Sequence, residues 1–161
     1  MKNFQEIEKA RFLTQVDFFK VTLDKTPTDK LSWKPDGKSM SAQEMTEHLT
    51  GSNYFFAALI KGEAPPSPPK DAPQNKTREQ IAQEFQMSCE MMAKTINSVS
   101  DQSLDKPITL PFGKSVKTSF LMTVPGSHMA YHWGQLSYVQ KMFGDDQDHF
   151  IKPEFALGSR Y

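Results

Sequence analysis

Four segments of the chain carry apolar residues three or four positions apart, and prolines and glycines separate these segments. This spacing is typical of helices that are apolar along one face. It predicts helices over about residues 3–23, 41–61, 77–100 and 119–143, followed by a tail over 144–161. Because such helices bury their apolar faces by packing together, the pattern predicts an all-α bundle.

Capping boxes mark the starts of two of these helices. Ser41 is followed three residues later by Glu44, and Thr77 is followed in the same way by Gln80. In this motif the hydroxyl accepts from the later backbone amide, and the later side chain accepts from the first amide. The two boxes therefore fix the predicted beginnings of the second and third helices, and Gly62 is a suitable terminator for the second.

Prolines shape two further regions. Residues 62–76 contain five of the eleven prolines of the chain, which predicts an extended connector with polyproline II character. Pro125 and Gly126 lie inside the last helical segment. Because an internal proline removes a helical hydrogen bond, we expect an interruption there, with a turn or kink before a stronger helix that starts near Gly126.

Length and charge narrow the class of protein. A chain of 161 residues is close to one domain, so we expect a single domain over 1–161. Nineteen basic residues balance nineteen acidic ones, which argues against binding to nucleic acid or an anionic membrane. The longest apolar run, residues 54–60, is far shorter than the roughly 20 residues that a membrane span needs. The charged first twenty residues do not resemble a signal peptide.

The number of cysteines indicates the cellular compartment in which the protein is expected. Cys89 is the only cysteine, so the chain cannot form an internal disulfide. That composition favours a reducing compartment, and we expect the cytoplasm. Cys89 lies on an apolar helical stripe, where it is more simply a small buried hydrophobe than a nucleophile.

Three of the four histidines lie on apolar helical faces that a bundle would bring together. His48 is in the second segment, and His128 and His132 are four residues apart in the last. Residues at i and i+4 lie on the same face of a helix, at a distance that suits two imidazoles on one metal ion. His48 from a facing helix would complete a three-nitrogen set. Three protein ligands leave a position for water or substrate, as in catalytic sites.

Other interpretations of these residues exist. A single histidine on an apolar stripe is more often a hydrogen-bonded core residue, but three buried imidazoles without strong partners would be costly. Gln135 either orients metal-bound water or a ligating histidine, or is an ordinary surface or core amide. Gly134 is expected to permit close packing of a neighbouring helix. Glu44 could act as an acid or base, but its capping box already explains it.

The arrangement of these motifs resembles a known family. The segment Ser-Ala-Gln-Glu-Met-Thr-Glu-His48 and the segment His128-Met-Ala-Tyr-His132-Trp-Gly-Gln135-Leu are similar to those of the DinB-like (YfiT-type) metalloproteins. The loop Leu-Ser-Trp33-Lys-Pro35 before the second helix is also similar. The resemblance covers roughly residues 3 to 144.

The resemblance implies a four-helix bundle with a long crossover connection and one divalent metal ion per chain, held by His48, His128 and His132. The metal of the family is usually nickel or zinc, and a homodimer is implied. Some relatives are transferases that use a low-molecular-weight thiol, and others are similar to metal-dependent hydrolases. The resemblance thus favours a thiol S-transferase with a small-molecule substrate. A metal-dependent hydrolase and a non-enzymatic, metal-stiffened binding module are the alternatives.

Overall fold

The computed structural model describes residues 3–66 and 76–149. Its four long helices are α1 (Phe4–Lys25), α2 (Ala42–Lys61), α3 (Arg78–Ser98) and α4 (Thr118–Met142). Their ends lie within two residues of the predicted ones. A short antiparallel hairpin of β1 (Pro107–Thr109) and β2 (Ser115–Lys117) precedes α4. The four helices pack as a bundle, which confirms the predicted fold class.

The crossover follows from the directions of the helices. α2 packs against α3, and two observations indicate that the two helices run parallel. Asn53 donates to Ser88 at 3.1 Å near the middles of both helices, and Leu59 and Ser98 line one groove at their C-terminal ends. A chain that leaves the end of α2 must therefore return along the bundle before α3 can begin. Residues 67–75 of the proline-rich connector between α2 and α3 lie outside the described part of the chain, so its predicted extended conformation stays a prediction there.

The core forms where the predicted stripes meet. The rings of Phe19 in α1 and Phe85 in α3 are fully buried and lie 5.3 Å apart between centroids. α1 also packs against α4, and α4 packs against α2. Both predicted capping boxes are present, and Gly62 ends α2 in the left-handed conformation with φ of 73°. None of the helices in residues 3–66 and 76–149 is long and apolar enough to span a bilayer.

The prediction that the last helix breaks at Pro125 is wrong, and the alternative of a kink there stays a prediction. α4 runs through Pro125 as one helix of 25 residues. Pro125 is buried, and a Cβ atom at Gly126 would lie 3.6 Å from the Cα atom of Phe12 in α1. The proline forfeits one backbone hydrogen bond, yet the helix continues through it, as happens where tertiary packing overrides local propensity.

The glycine of α4 that faces α1 is therefore Gly126 and not Gly134, and a Cβ atom at Gly126 would make ordinary van der Waals contact with Phe12. Gly134 is exposed, and a Cβ atom there would meet nothing within 4 Å. The expectation for Gly134 was wrong because sequence alone does not tell which side of α4 faces α1.

Candidate metal centre

α2 and α4 bring His48, His128 and His132 together. The Nε2 atom of His128 lies 3.1 Å from Nε2 of His48 and 3.0 Å from Nε2 of His132. One nitrogen from each ring lies within 4.8 Å of the other two, so the cluster could hold a metal ion. The i, i+4 spacing on α4 places two of the rings, and α2 supplies the third.

Hydrogen bonds between the three rings cannot satisfy all three Nε2 atoms. In a neutral imidazole, Nε2 either donates one hydrogen or accepts through one lone pair. The Nε2 atom of His128 faces two other Nε2 atoms at close range, and it can pair with only one of them. A cation between the rings would accept a lone pair from all three nitrogens, so the donor set fits a divalent transition metal.

Burial is graded across the three rings. His132 is buried with 4% of its surface exposed, His128 is half-buried, and His48 is exposed. The expectation that all three imidazoles lie inside apolar faces is therefore wrong for His48. Met45, Leu49 and their neighbours form the side of α2 that packs into the core, and His48 therefore lies at the edge of the bundle. The cluster is consequently open to solvent on the α2 side.

The electrostatic environment keeps two of the rings neutral. Burial, together with the neighbouring rings of His132 and His48, lowers the pKa of His128 to about 4. Burial and the His48 ring also lower the pKa of His132, while the side chain of Gln135 opposes that effect. Neutral imidazoles have the free lone pairs that metal binding requires.

Two aromatic side chains flank the cluster. The ring of Phe56 meets His128 edge-on at 6.0 Å between centroids, and Tyr131 meets His132 edge-on at 5.0 Å. Sequence reasoning did not assign either residue to the site. The available signal was position, because Phe56 lies eight residues after His48, close to the same helical face, and Tyr131 lies three residues after His128.

Gln135 lies beside the most buried histidine. Its Nε2 atom donates to the Tyr131 hydroxyl at 3.1 Å. Its Oε1 atom is buried and has no hydrogen-bond partner among the described residues, and the same is true of Nδ1 of His132. A ligating histidine that carries a proton on its second nitrogen commonly donates it to such an oxygen.

Three other candidate residues lie elsewhere or are engaged. The fourth histidine, His149, is not part of the cluster, and its Nε2 atom lies 2.7 Å from Oδ2 of Asp145. Glu44 accepts from Lys34 at 2.6 Å and from the Ser41 amide at 2.9 Å, as its capping role predicts. Burial raises the pKa of the Cys89 thiol to about 12, so it is a poor nucleophile.

The fold and the cluster together define a helical-bundle protein with a three-histidine group able to hold a metal ion. Residues 14–136, which include all three histidines, match the profile of the DinB superfamily. The chain belongs to the DinB superfamily, as its motifs suggested.

Two similarities concern one Bacillus subtilis protein. The chain is 29% identical over 137 residues to the uncharacterized protein YjoA of Bacillus subtilis (strain 168), covering 83% of this chain and 87% of that protein. The crystal structure of YjoA, a DinB-like protein, superimposes with a TM-score of 0.70 at 23% identity, covering 87% of this chain and 94% of the other. The structural similarity supports the fold and carries no assignment of activity.

Proposed function

We propose that this protein is a metal-dependent thiol S-transferase that holds one divalent ion, nickel or zinc, through His48, His128 and His132. The observation that carries the proposal is the convergence of three Nε2 atoms at a site whose outermost ring, His48, is exposed. Three ligands leave at least one position for an exchangeable ligand, and the exposed side gives that ligand a way in.

The proposed substrates are a low-molecular-weight thiol and a small electrophile. A bound divalent cation lowers the pKa of a thiol that coordinates it, so that its sulfur is nucleophilic at neutral pH. In the transfer, a sulfur–carbon bond forms as the bond from that carbon to its leaving group breaks. The leaving group departs with the electron pair, and the thiol proton passes to solvent. Phe56 and Tyr131 offer aromatic surface beside the cluster for the organic part of the electrophile.

The residues around the cluster favour thiol transfer over hydrolysis. A metal-dependent hydrolase commonly positions a carboxylate as general base near the attacking water. Within the described residues, no Asp or Glu joins the three-histidine group. Glu44, one turn before His48, is engaged by Lys34, and this ion pair lowers its pKa. Thiol transfer needs no such base once the thiol is deprotonated.

Cobalt substitution tests the proposal. We expect that adding a small thiol to cobalt-loaded protein creates a thiolate-to-metal charge-transfer band. His132→Ala should abolish the band, and His149→Ala should retain it, because His149 lies outside the cluster. If anions or water exchange at the metal while thiols leave the spectrum unchanged, a hydrolase is favoured. If no ligand reaches the metal, the protein is a non-enzymatic binding module.

We also propose a homodimer that uses the outer face of α4. Phe120, Tyr131, Tyr138 and Met142 are exposed, and their spacings of 11, 7 and 4 residues are close to whole helical turns. A row of exposed apolar side chains along one helix face is typical of an interaction surface. Tyr138→Lys should shift the protein to a monomer in sedimentation analysis, whereas an unchanged assembly state would exclude this face.

Location and partners complete the proposal. A cytoplasmic location agrees with the single buried cysteine and with a thiol substrate that must stay reduced. The net charge of zero supports the proposal that the protein binds neither nucleic acid nor membranes.

A further inference from the structure

We propose that Gln135 is a positioning residue for His132, in which Oε1 of the glutamine accepts a hydrogen bond from Nδ1–H of the histidine and directs its Nε2 lone pair toward the metal. The inference rests on the proposed metal site and adds an assignment of the His132 tautomer. It resolves the alternatives that the sequence left open for Gln135.

Two unsatisfied atoms lie on neighbouring side chains and are complementary. Nδ1 of His132 and Oε1 of Gln135 are both buried, and neither has a hydrogen-bond partner among the described residues. The nitrogen can carry a hydrogen, whereas the amide oxygen can only accept one. The residues are three positions apart on α4, a spacing at which helical side chains meet. A hydrogen bond between them would satisfy both atoms, and leaving both unpaired would be costly.

The Gln135 amide turns its nitrogen toward the Tyr131 hydroxyl. The Gln135 Nε2 atom lies 3.1 Å from the Tyr131 hydroxyl, to which it donates. The amide oxygen consequently faces away from Tyr131. That orientation suits an acceptor for an imidazole N–H.

The metal-facing nitrogens require the same tautomer. All three rings bring Nε2 to the centre of the cluster, as the distances of 3.0 and 3.1 Å show. A neutral His132 that ligates through Nε2 must carry its proton on Nδ1. His132 is the most buried of the three rings, so water cannot readily accept that proton, and the protein must supply the acceptor.

Zinc affinity and NMR spectroscopy test the assignment with Gln135→Met, which removes the acceptor at similar volume. We expect zinc affinity to fall about 10–100-fold, the effect typical of losing a partner of a metal-ligating histidine. In zinc-loaded wild type, the His132 Nδ1–H resonance should be protected from exchange, and in Gln135→Met it should be lost. Gln140→Met is the matched control, because Gln140 is also on α4 but donates to the Thr22 carbonyl, away from the cluster.

The outcomes separate this inference from the proposed metal site. If wild type binds zinc and Gln135→Met binds within about twofold, or if the Nδ1–H signal persists in that variant, the positioning role is wrong and the metal site stands. If wild type itself binds no zinc, the proposed metal site is wrong, and this inference is wrong with it. An equal loss of affinity in Gln140→Met would also overturn the inference, because the effect would then be a general result of losing a buried amide. Metal-free unfolding curves of both variants confirm that each is folded.

Discussion

Acid should destabilise the metal-free protein through His128. Burial, with help from the rings of His132 and His48, lowers the pKa of His128 from 6.5 to about 4 in the folded state. In the unfolded chain the imidazole regains its ordinary pKa. Between these two values the unfolded state binds more protons than the folded state, so the free energy of unfolding falls as pH drops. The loss begins near pH 6.5 and is complete below the folded pKa.

The magnitude follows from the size of the pKa change. One pKa unit corresponds to about 1.36 kcal/mol, so the full change sets an upper limit of about 3.4 kcal/mol. His128 is only half-buried, and solvent screens charge at such a position. We therefore expect a loss of about 1–2 kcal/mol.

Urea unfolding at constant ionic strength measures this loss. Chelator-treated wild type and His128→Gln are compared between neutral pH and the folded pKa of His128. The difference in their free energies of unfolding should change by about 1–2 kcal/mol across that window, with wild type losing more. If both proteins lose stability in parallel, or if wild type gains relative to the variant on acidification, the reasoning about His128 is wrong.

Three further predictions concern stability and reactivity. Chelation should leave the bundle folded, because the cluster lies at its edge, and zinc at 100 times its Kd should add about 2.7 kcal/mol; unfolding by chelator would indicate a structural site. Gly134→Ala should stabilise α4 by about 1 kcal/mol in thermal unfolding, since a Cβ atom meets nothing there, whereas Gly126→Leu should destabilise the protein by pressing on α1. Cys89 should react with iodoacetamide only after denaturation, because burial raises the pKa of its thiol to about 12; rapid labelling of native protein would contradict this.

The helices were predictable because local signals agree with packing. The capping boxes at Ser41 and Thr77 and the apolar stripes of α1 and α3 indicate the same elements that the structure contains. A third capping box, at Asn3 and Glu6, has the same chemistry but was missed, because the apolar stripe behind it is imperfect. Agreement between local and tertiary preferences is what makes a sequence easy to interpret.

The details of the site were less predictable. An apolar stripe covers a wide arc of a helix, so spacing alone could not decide whether His48 faces the core or its edge. That choice depends on how α2 rotates when Met45 and Leu49 pack into the core. The contact of Gln135 with Tyr131 depends on side-chain rotamers, which a sequence pattern does not specify.

Metal content measured by elemental analysis tests the central claim most directly. Protein purified without chelators should carry about one divalent ion per chain, because the three histidines form one group. His48→Ala, His128→Ala and His132→Ala should each lose the ion, and His149→Ala should keep it. Retention of the metal in all three cluster variants, or its loss in His149→Ala, would contradict the account.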